Sequence, residues 1–345
     1  MKNIKLSISG QPNNLNIQQF VGNDENIFEN YKFHINSSFE NPDYWFVLES
    51  INKSSEECLI DPNHIIYLNT ETSYPKDYFL SKYMRSYMNQ FKFKYGCYNN
   101  FDIQYSSAFP FLPWLINNKN DGAIFTEQEK DLGYFQQLNS IKKVNNLSVI
   151  CSNKTYTDDH KARLNFVYKL KEHFQNDLDW YGEGINEVNS KWDGIANYKY
   201  HIVLENESRN NLISEKLFDS YLGLAYPFYY GAPNLNEYFP KDSYAAIDIM
   251  DYKKSISVIE RLILNNGYEK NFDSILKSKN LVVNDYHFLK RIINIVNELE
   301  TTINSSKKTK VIIHDVNYFW KKQVSYKAKV KHFLKRKLRI NVNNY

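Results

Sequence analysis

Glu205, Asn206, Ser208, Arg209, Glu215 and Lys216 fall close together in the stretch Tyr198–Gly231. Carboxylates and an amide accept hydrogen bonds from sugar hydroxyls, and a lysine neutralises a phosphate oxygen. A ribose joined to a diphosphate asks for that mixture. The elements around these residues place them together. Tyr198–Leu204 is apolar and β-branched, the pattern of a strand buried on both faces. Glu205–Asn211 has no apolar run and predicts a loop. Ser214 can cap a helix whose apolar face is Leu217, Phe218, Tyr221 and Leu222, with Gly223 near its end. Ala225–Tyr230 predicts the next strand. In an open parallel sheet, ligands sit beyond the carboxyl ends of strands, against helix N-termini. The polar residues fall at that edge.

Two further residues could do chemistry from other parts of the chain. Strand Leu147–Cys151 runs into Ser152-Asn153-Lys154, and a helix follows from about Asp159. Arg163 shares a helical stripe with the apolar residues Phe166, Val167, Leu170 and Phe174. An unpaired arginine is expensive to bury, so the position suits either a phosphate at the sheet edge or an ion pair with Asp158 or Asp159. Glu71 follows the apolar run His64–Leu68 and precedes Pro75. It is either a solvated loop acid, a helix N-terminal charge, or a carboxylate at a ligand edge.

The order and spacing of these segments resemble the α1,3/4-fucosyltransferases of glycosyltransferase family 10. That family reads roughly F-E-N-S, Y-V-T-E-K, P-V-Y-x-G and F-x-P-x-S-F. This chain has Leu204-Glu205-Asn206-Glu207-Ser208, Ser214-Glu215-Lys216, Pro227-Phe228-Tyr229-Tyr230-Gly231 and Phe239-Pro240-Lys241-Asp242-Ser243-Tyr244. The nine-residue step from Asn206 to Glu215 matches the family spacing. The resemblance implies a GT-B-like α/β fold, two Rossmann-like domains facing a central cleft. It implies GDP-fucose as donor, a glycan acceptor, and an inverting displacement with no metal or other cofactor. It assigns the general base to Glu71. Arg163, Ser152, Asn153, Glu205, Asn206, Glu215 and Lys216 become donor-binding residues. Three positions depart from the pattern. Thr70 replaces a glycine, Leu212 replaces a tyrosine, and Glu207 adds a negative charge. Thr70 bears on Glu71 as the base, and Leu212 and Glu207 leave a different GDP-deoxysugar, or a low donor affinity, as the alternative.

The chain has 345 residues, room for two domains and more. The expected divisions are 1–143 for acceptor binding, 144–305 for the GDP-sugar, and 306–345 for a basic tail. The tail follows from charge. Nine Lys and Arg lie between Lys321 and Arg339 with no acid among them, and removing them from the net +4 leaves −5 for the rest. A mildly acidic body argues against nucleic acid as the partner. Val330, Phe333, Leu334 and Leu338 fall at i, i+3, i+4 and i+8, so the tail predicts a basic amphipathic helix. Residues 320–340 are therefore expected on a membrane surface, with the enzyme peripheral on the cytoplasmic face, where lipid-linked glycans serve as acceptors. No long apolar run or signal peptide is present, and three cysteines without a CxxC fit a reducing compartment. Two rival classes remain. Asp177-Leu178-Asp179 has the D-x-D form of a metal-dependent GT-A transferase, although it reads more simply as a turn into a strand. A non-catalytic carbohydrate-binding protein is the other.

Overall fold

The computed structural model describes residues 1–9, 17–21, 26–69, 81–97, 105–107, 113–117, 130–155, 157–304 and 306–324. Two parallel sheets organise them. The first has seven strands, β1 (Lys2–Ile8), β2 (Ile27–Phe28), β3 (Tyr31–Ile35), β4 (Tyr44–Leu48), β6 (Ile65–Leu68), β7 (Phe93–Gly96) and β8 (Tyr105–Ser107). Their order is β2-β3-β1-β4-β6-β7-β8. Only β2 runs antiparallel to its neighbour. All five residues of β4 are buried, as a central parallel strand covered on both faces requires. A separate pair joins β5 (Ser55–Ile60) to β14 (Thr309–His314).

The second sheet contains β9 (Asn145–Ile150), β10 (Leu178–Tyr181), β11 (Tyr198–Leu204), β12 (Tyr226–Tyr230) and β13 (Ala245–Ala246), in the order β10-β9-β11-β12-β13. Numbered from β9, that is the doubly wound order 2-1-3-4-5. The chain leaves β9 to one side and returns on the other, so the topology reverses between β9 and β11. Such a reversal opens a crevice at the carboxyl ends of the two strands. The first sheet has its own reversal between β1 and β4, because β3 lies on one side of β1 and β4 on the other.

The predicted strand Tyr198–Leu204 is β11. The helix capped by Ser214 runs Glu215–Leu222, and the helix expected near Asp159 runs Asp158–Phe174. In the first domain a helix runs Lys82–Met88, capped by Ser81. Trp114 is a core residue, ringed by Phe20, Phe135 and His287.

The sequence reading of 306–345 as one tail needs correction. Residues 306–324 return to the first domain. Strand β14 pairs with β5, and the helix Val316–Gln323 follows, with its Phe319 packed edge-on to Tyr87. The crossing helix Phe288–Thr302 is fastened to the same domain by Tyr31 donating to Asn297 (2.9 Å) and by the Lys290–Glu29 ion pair (2.6 Å). The amphipathic set Val330, Phe333, Leu334 and Leu338 lies outside the described residues. Leu212 joins the domains at the opposite end. It belongs to the second domain's sheet-edge loop, yet it is fully buried among first-domain residues such as Val47, Tyr67 and Cys97.

Candidate active site

A cavity of about 220 Å³ lies in the crevice between β9 and β11. The end of β9 contributes Ile150, Cys151 and Ser152, and β11 with its loop contributes Ile202, Val203, Leu204 and Asn206. Gly182 and Glu183 close the side beyond β10. Arg163 enters from one helix, and Glu215, Lys216 and Asp219 enter from another. Five of the eight residues expected at the site thus share one cavity: Ser152, Arg163, Asn206, Glu215 and Lys216.

The helix bearing Arg163 starts at Thr157, whose hydroxyl accepts a hydrogen bond from the His160 backbone N–H (3.1 Å). Burial of Phe166, Val167 and Leu170 docks that helix on the sheet and fixes the direction of Arg163. The arginine pairs with neither Asp158 nor Asp159. Its Nη1 donates to the Leu204 carbonyl (3.3 Å), and its Nε is buried with no partner among the described residues. An unmet buried donor costs about 1–3 kcal/mol, more when charged. A bound anion would recover that cost.

The helix Glu215–Leu222 presents Lys216 at its first turn. Ser214 caps it and is itself held by Glu205, whose Oε1 accepts from the Ser214 backbone N–H (2.8 Å) and Oε2 from the Ser214 hydroxyl (2.6 Å). Lys216 Nζ lies 3.7 Å from the same carboxylate and donates to Glu215 Oε1 (3.3 Å). Burial opposes the charge on Lys216, but Glu215 and Glu205 outweigh it and raise its pKa. Burial likewise opposes ionisation of Glu215, yet Lys216 and Lys191 hold its pKa below the ordinary value. Glu205 stands behind the cavity wall, fully buried, and burial raises its pKa. Gly231 makes room for it: a Cβ there would overlap the Tyr229 hydroxyl and come 2.6 Å from Glu205 Cγ.

Both cations act on one reporter group. Burial raises the pKa of the Cys151 thiol, and Arg163 and Lys216 both pull it back down. Arg163 and Lys216 therefore face a common space from separate segments. Of the lysines lining the cavity, Lys154 pairs with Glu183 (2.7 Å), Lys191 with Asp219 (3.0 Å), and Lys216 with two glutamates. Arg163 alone among these cations has no carboxylate partner within the described residues.

Several lining residues carried no usable signal in the sequence. Lys191 reads as one lysine among many. Asp219 follows Glu215 by one helical turn, which puts both on one face, but it sits inside an apolar stripe. Burial raises its pKa to about 6 despite Lys191, and its Oδ1 accepts from the Leu115 backbone N–H (2.8 Å). His201 is buried in the floor against Ser148 (2.8 Å), and burial lowers its pKa to about 3, so it is neutral.

The remaining expectations fall outside the cavity. Asn153 points to the Gly184 carbonyl (3.4 Å) and does not line the walls. Glu71 lies outside the described residues. The described chain before it ends at Asn69, whose side chain donates to Glu49 Oε1 (2.9 Å), with the Tyr67 hydroxyl on Oε2 (3.0 Å). The added charge of Glu207 is met by a forked pair with Arg209 (3.0 and 3.2 Å). That pair reaches the first domain. Burial raises the Cys97 pKa to about 12, with Arg209 opposing and Glu207 adding. Asp179 accepts from the Tyr198 hydroxyl (2.7 Å), and neither Asp177 nor Asp179 lines the cavity. No group of three or more His, Cys, Asp or Glu among the described residues is arranged to hold a metal ion.

Residues 141–277 match the family model described as glycosyltransferase family 10 (fucosyltransferase) C-term. The matched segment contains β9 to β13 and every described residue expected to bind a donor. Two solved structures are similar over most of the chain. One is an α1,3-fucosyltransferase with GDP-fucose, 15% identical, covering 88% of this chain and 92% of that one, with a TM-score of 0.50. The other is an α1,3-fucosyltransferase, also 15% identical, covering 88% and 91%, with a TM-score of 0.51. At that identity the likeness is one of fold, and the GT-B-like pairing of two Rossmann-like domains is the fold observed.

Proposed function

Through residues 141–277 the chain belongs to glycosyltransferase family 10, the fucosyltransferases, and from that membership we propose that it transfers L-fucose from GDP-fucose to a hydroxyl of a glycan acceptor. The observation that carries the reading is Arg163 and Lys216 facing one cavity at the strand-order reversal, with Arg163 Nε buried and unmet. A departing GDP gains negative charge, and two cations on separate segments can accept it without a divalent ion. A full charge pair at 4 Å is worth about 4 kcal/mol at an effective dielectric near 20, before desolvation. Arginine can grip two oxygens, and lysine acts as a point charge. Asn206 and Glu215 offer hydrogen bonds to ribose, fucose or phosphate.

The acceptor hydroxyl must lose a proton as it attacks the anomeric carbon, and the bond to GDP breaks on the opposite face. Glu71 takes that proton in this scheme, which inverts the sugar and needs one catalytic carboxylate. The acceptor is an oligosaccharide or lipid-linked glycan, as in lipopolysaccharide, joined through an α1,3 or α1,4 linkage. The basic run Lys321–Arg339 supports peripheral attachment to the cytoplasmic face of a membrane, each Lys or Arg adding about 1 kcal/mol near an anionic leaflet. Among the described residues no helix is long and apolar enough to cross a membrane.

A thermal-shift series, run once with EDTA and once with Mn²⁺, tests the donor. GDP and GDP-fucose should stabilise the protein, by about 2.7 kcal/mol at a hundredfold excess over Kd. Stronger stabilisation by a different GDP-deoxysugar would change the transferred sugar. Stabilisation only by UDP-sugars with Mn²⁺ would overturn the reading.

A further inference from the structure

A second hollow of about 410 Å³ opens at the carboxyl ends of β12 and β13. It stands on the opposite side of the Arg163–Lys216 pair from Gly182 and Glu183. Tyr230 and Tyr244 furnish aromatic walls, Ala232 and Pro233 apolar ones, and Ser208 and Asp248 polar groups. Neither tyrosine hydroxyl has a hydrogen-bond partner among the described residues. Asp248 uses Oδ1 to accept from the Met250 backbone N–H (2.8 Å), which leaves Oδ2 for another donor. Asp248 and Ala246 are exposed, so a ligand can enter.

Tyr230 lines this hollow from the end of β12, the strand beside β11. Burial raises its pKa, Asp159, Asp248 and Glu207 raise it further, and Arg163 opposes them. Its side chain shares the hollow with Asp248, and its hydroxyl lies within the field of Arg163. Ser208 adjoins the Glu207–Arg209 pair and belongs to the same loop as Leu212, which packs among first-domain residues. A sugar ring has an apolar C–H face and a rim of hydroxyls. Aromatic walls with a few placed acceptors and donors suit that shape, and the volume falls within the small-molecule range.

We propose that the hollow bounded by Tyr230, Tyr244, Ser208 and Asp248 is a subsite for the acceptor saccharide. It takes one sugar ring against the tyrosines, with a ring hydroxyl donating to Asp248. The proposal rests on the first cavity holding the nucleotide diphosphate. That order leaves a base end near Gly182 and a sugar end near Tyr230, where donor sugar and acceptor meet.

Saturation-transfer NMR on the full chain with GDP bound, using N-acetyllactosamine and lactose as probes, tests it. The wild type should give a saccharide signal. Asp248→Asn should reduce it at least fivefold, and Ala246→Trp, which fills the hollow from an exposed position, should abolish it. GDP affinity should stay within twofold of wild type in both. An undiminished signal in both variants overturns the subsite, as does no saccharide signal from GDP-bound wild type. A loss of GDP affinity in Asp248→Asn with the saccharide signal intact also overturns it, since the hollow would then hold the nucleotide base. Failure of wild type to bind GDP would instead sink the donor reading.

Discussion

The two sheets of this protein share a winding order, but the described side chains at the place where that order reverses differ in character. In the second domain the crevice between β9 and β11 is lined by Lys154, Lys191 and Lys216, each paired with a carboxylate of the lining, and by Arg163, which has no carboxylate partner among the described residues. In the first domain the described residue at the end of β4, beside the β1–β4 reversal, is Glu49, held by Tyr67 and Asn69. Topology puts a ligand edge on both domains, and side chains decide what each edge does. A cationic edge suits a diphosphate. An acidic edge suits the removal of a proton from a hydroxyl. The division of labour proposed above, with leaving-group stabilisation in one domain and base catalysis in the other, is this contrast written as chemistry.

The contrast can be broken one edge at a time. Glu71→Gln should lower kcat about 10²–10⁴-fold and leave GDP affinity unchanged, because a general base contributes on that order and touches no phosphate. Arg163→Ala should weaken GDP binding as well as kcat/KM, each by about 10²-fold, consistent with the loss of a charge-assisted donor of about 3 kcal/mol. Arg163→Lys should recover only part, since a point charge cannot fork. Steady-state kinetics beside GDP titration by calorimetry separates the two. If Glu71→Gln weakens GDP binding while Arg163→Ala spares it, the assignment of the edges is reversed.

A smaller effect is expected where the two regions touch. Leu212 belongs to the cationic domain by sequence and to the acidic domain by packing. Leu212→Ala should cost about 2–5 kcal/mol, as for other buried leucines, and urea unfolding measures it. A loss below about 1 kcal/mol would mean the domains do not rely on this plug. At this position the family resemblance expects a tyrosine. The leucine here is buried among apolar first-domain residues, where a tyrosine hydroxyl would need a hydrogen-bond partner.

Most of the cationic edge was legible because its signals are local. Ser214 announces the helix that carries Lys216, and the apolar run Tyr198–Leu204 announces the strand that ends beside it. Arg163 stood out by interrupting an apolar stripe. The role of Glu205 was not legible. A glutamate beside Asn206 reads as a ligand, and only the fold turns its carboxylate backward onto Ser214. Lys191 and Asp219 were missed for a related reason, since their pairing joins two helices that no sequence pattern relates. The return of residues 309–314 to pair with β5 was missed because its partner lies at Ser55–Ile60, far away along the chain. Basic neighbours made the segment look like tail.

The least drastic test concerns what sits beneath the cations. Asp219 is buried, ion-paired to Lys191, and accepts from the Leu115 backbone, so it ties that first-domain segment to the helix that carries Lys216. Burial raises its pKa to about 6, from an ordinary value near 4, against the pull of Lys191. A carboxyl whose folded pKa is raised binds its proton more tightly in the folded state. Its ionisation therefore subtracts stability as pH rises from about 4 to about 6, and the loss is complete above that window. Asp219→Asn cannot ionise and lacks this term. The stability of wild type relative to Asp219→Asn should fall by about 1–3 kcal/mol between pH 4 and pH 7, by urea unfolding at each pH. A difference that stays flat or rises over that range would mean Lys191 outweighs burial and Asp219 is ionised throughout. The cationic edge would then rest on a permanent ion pair.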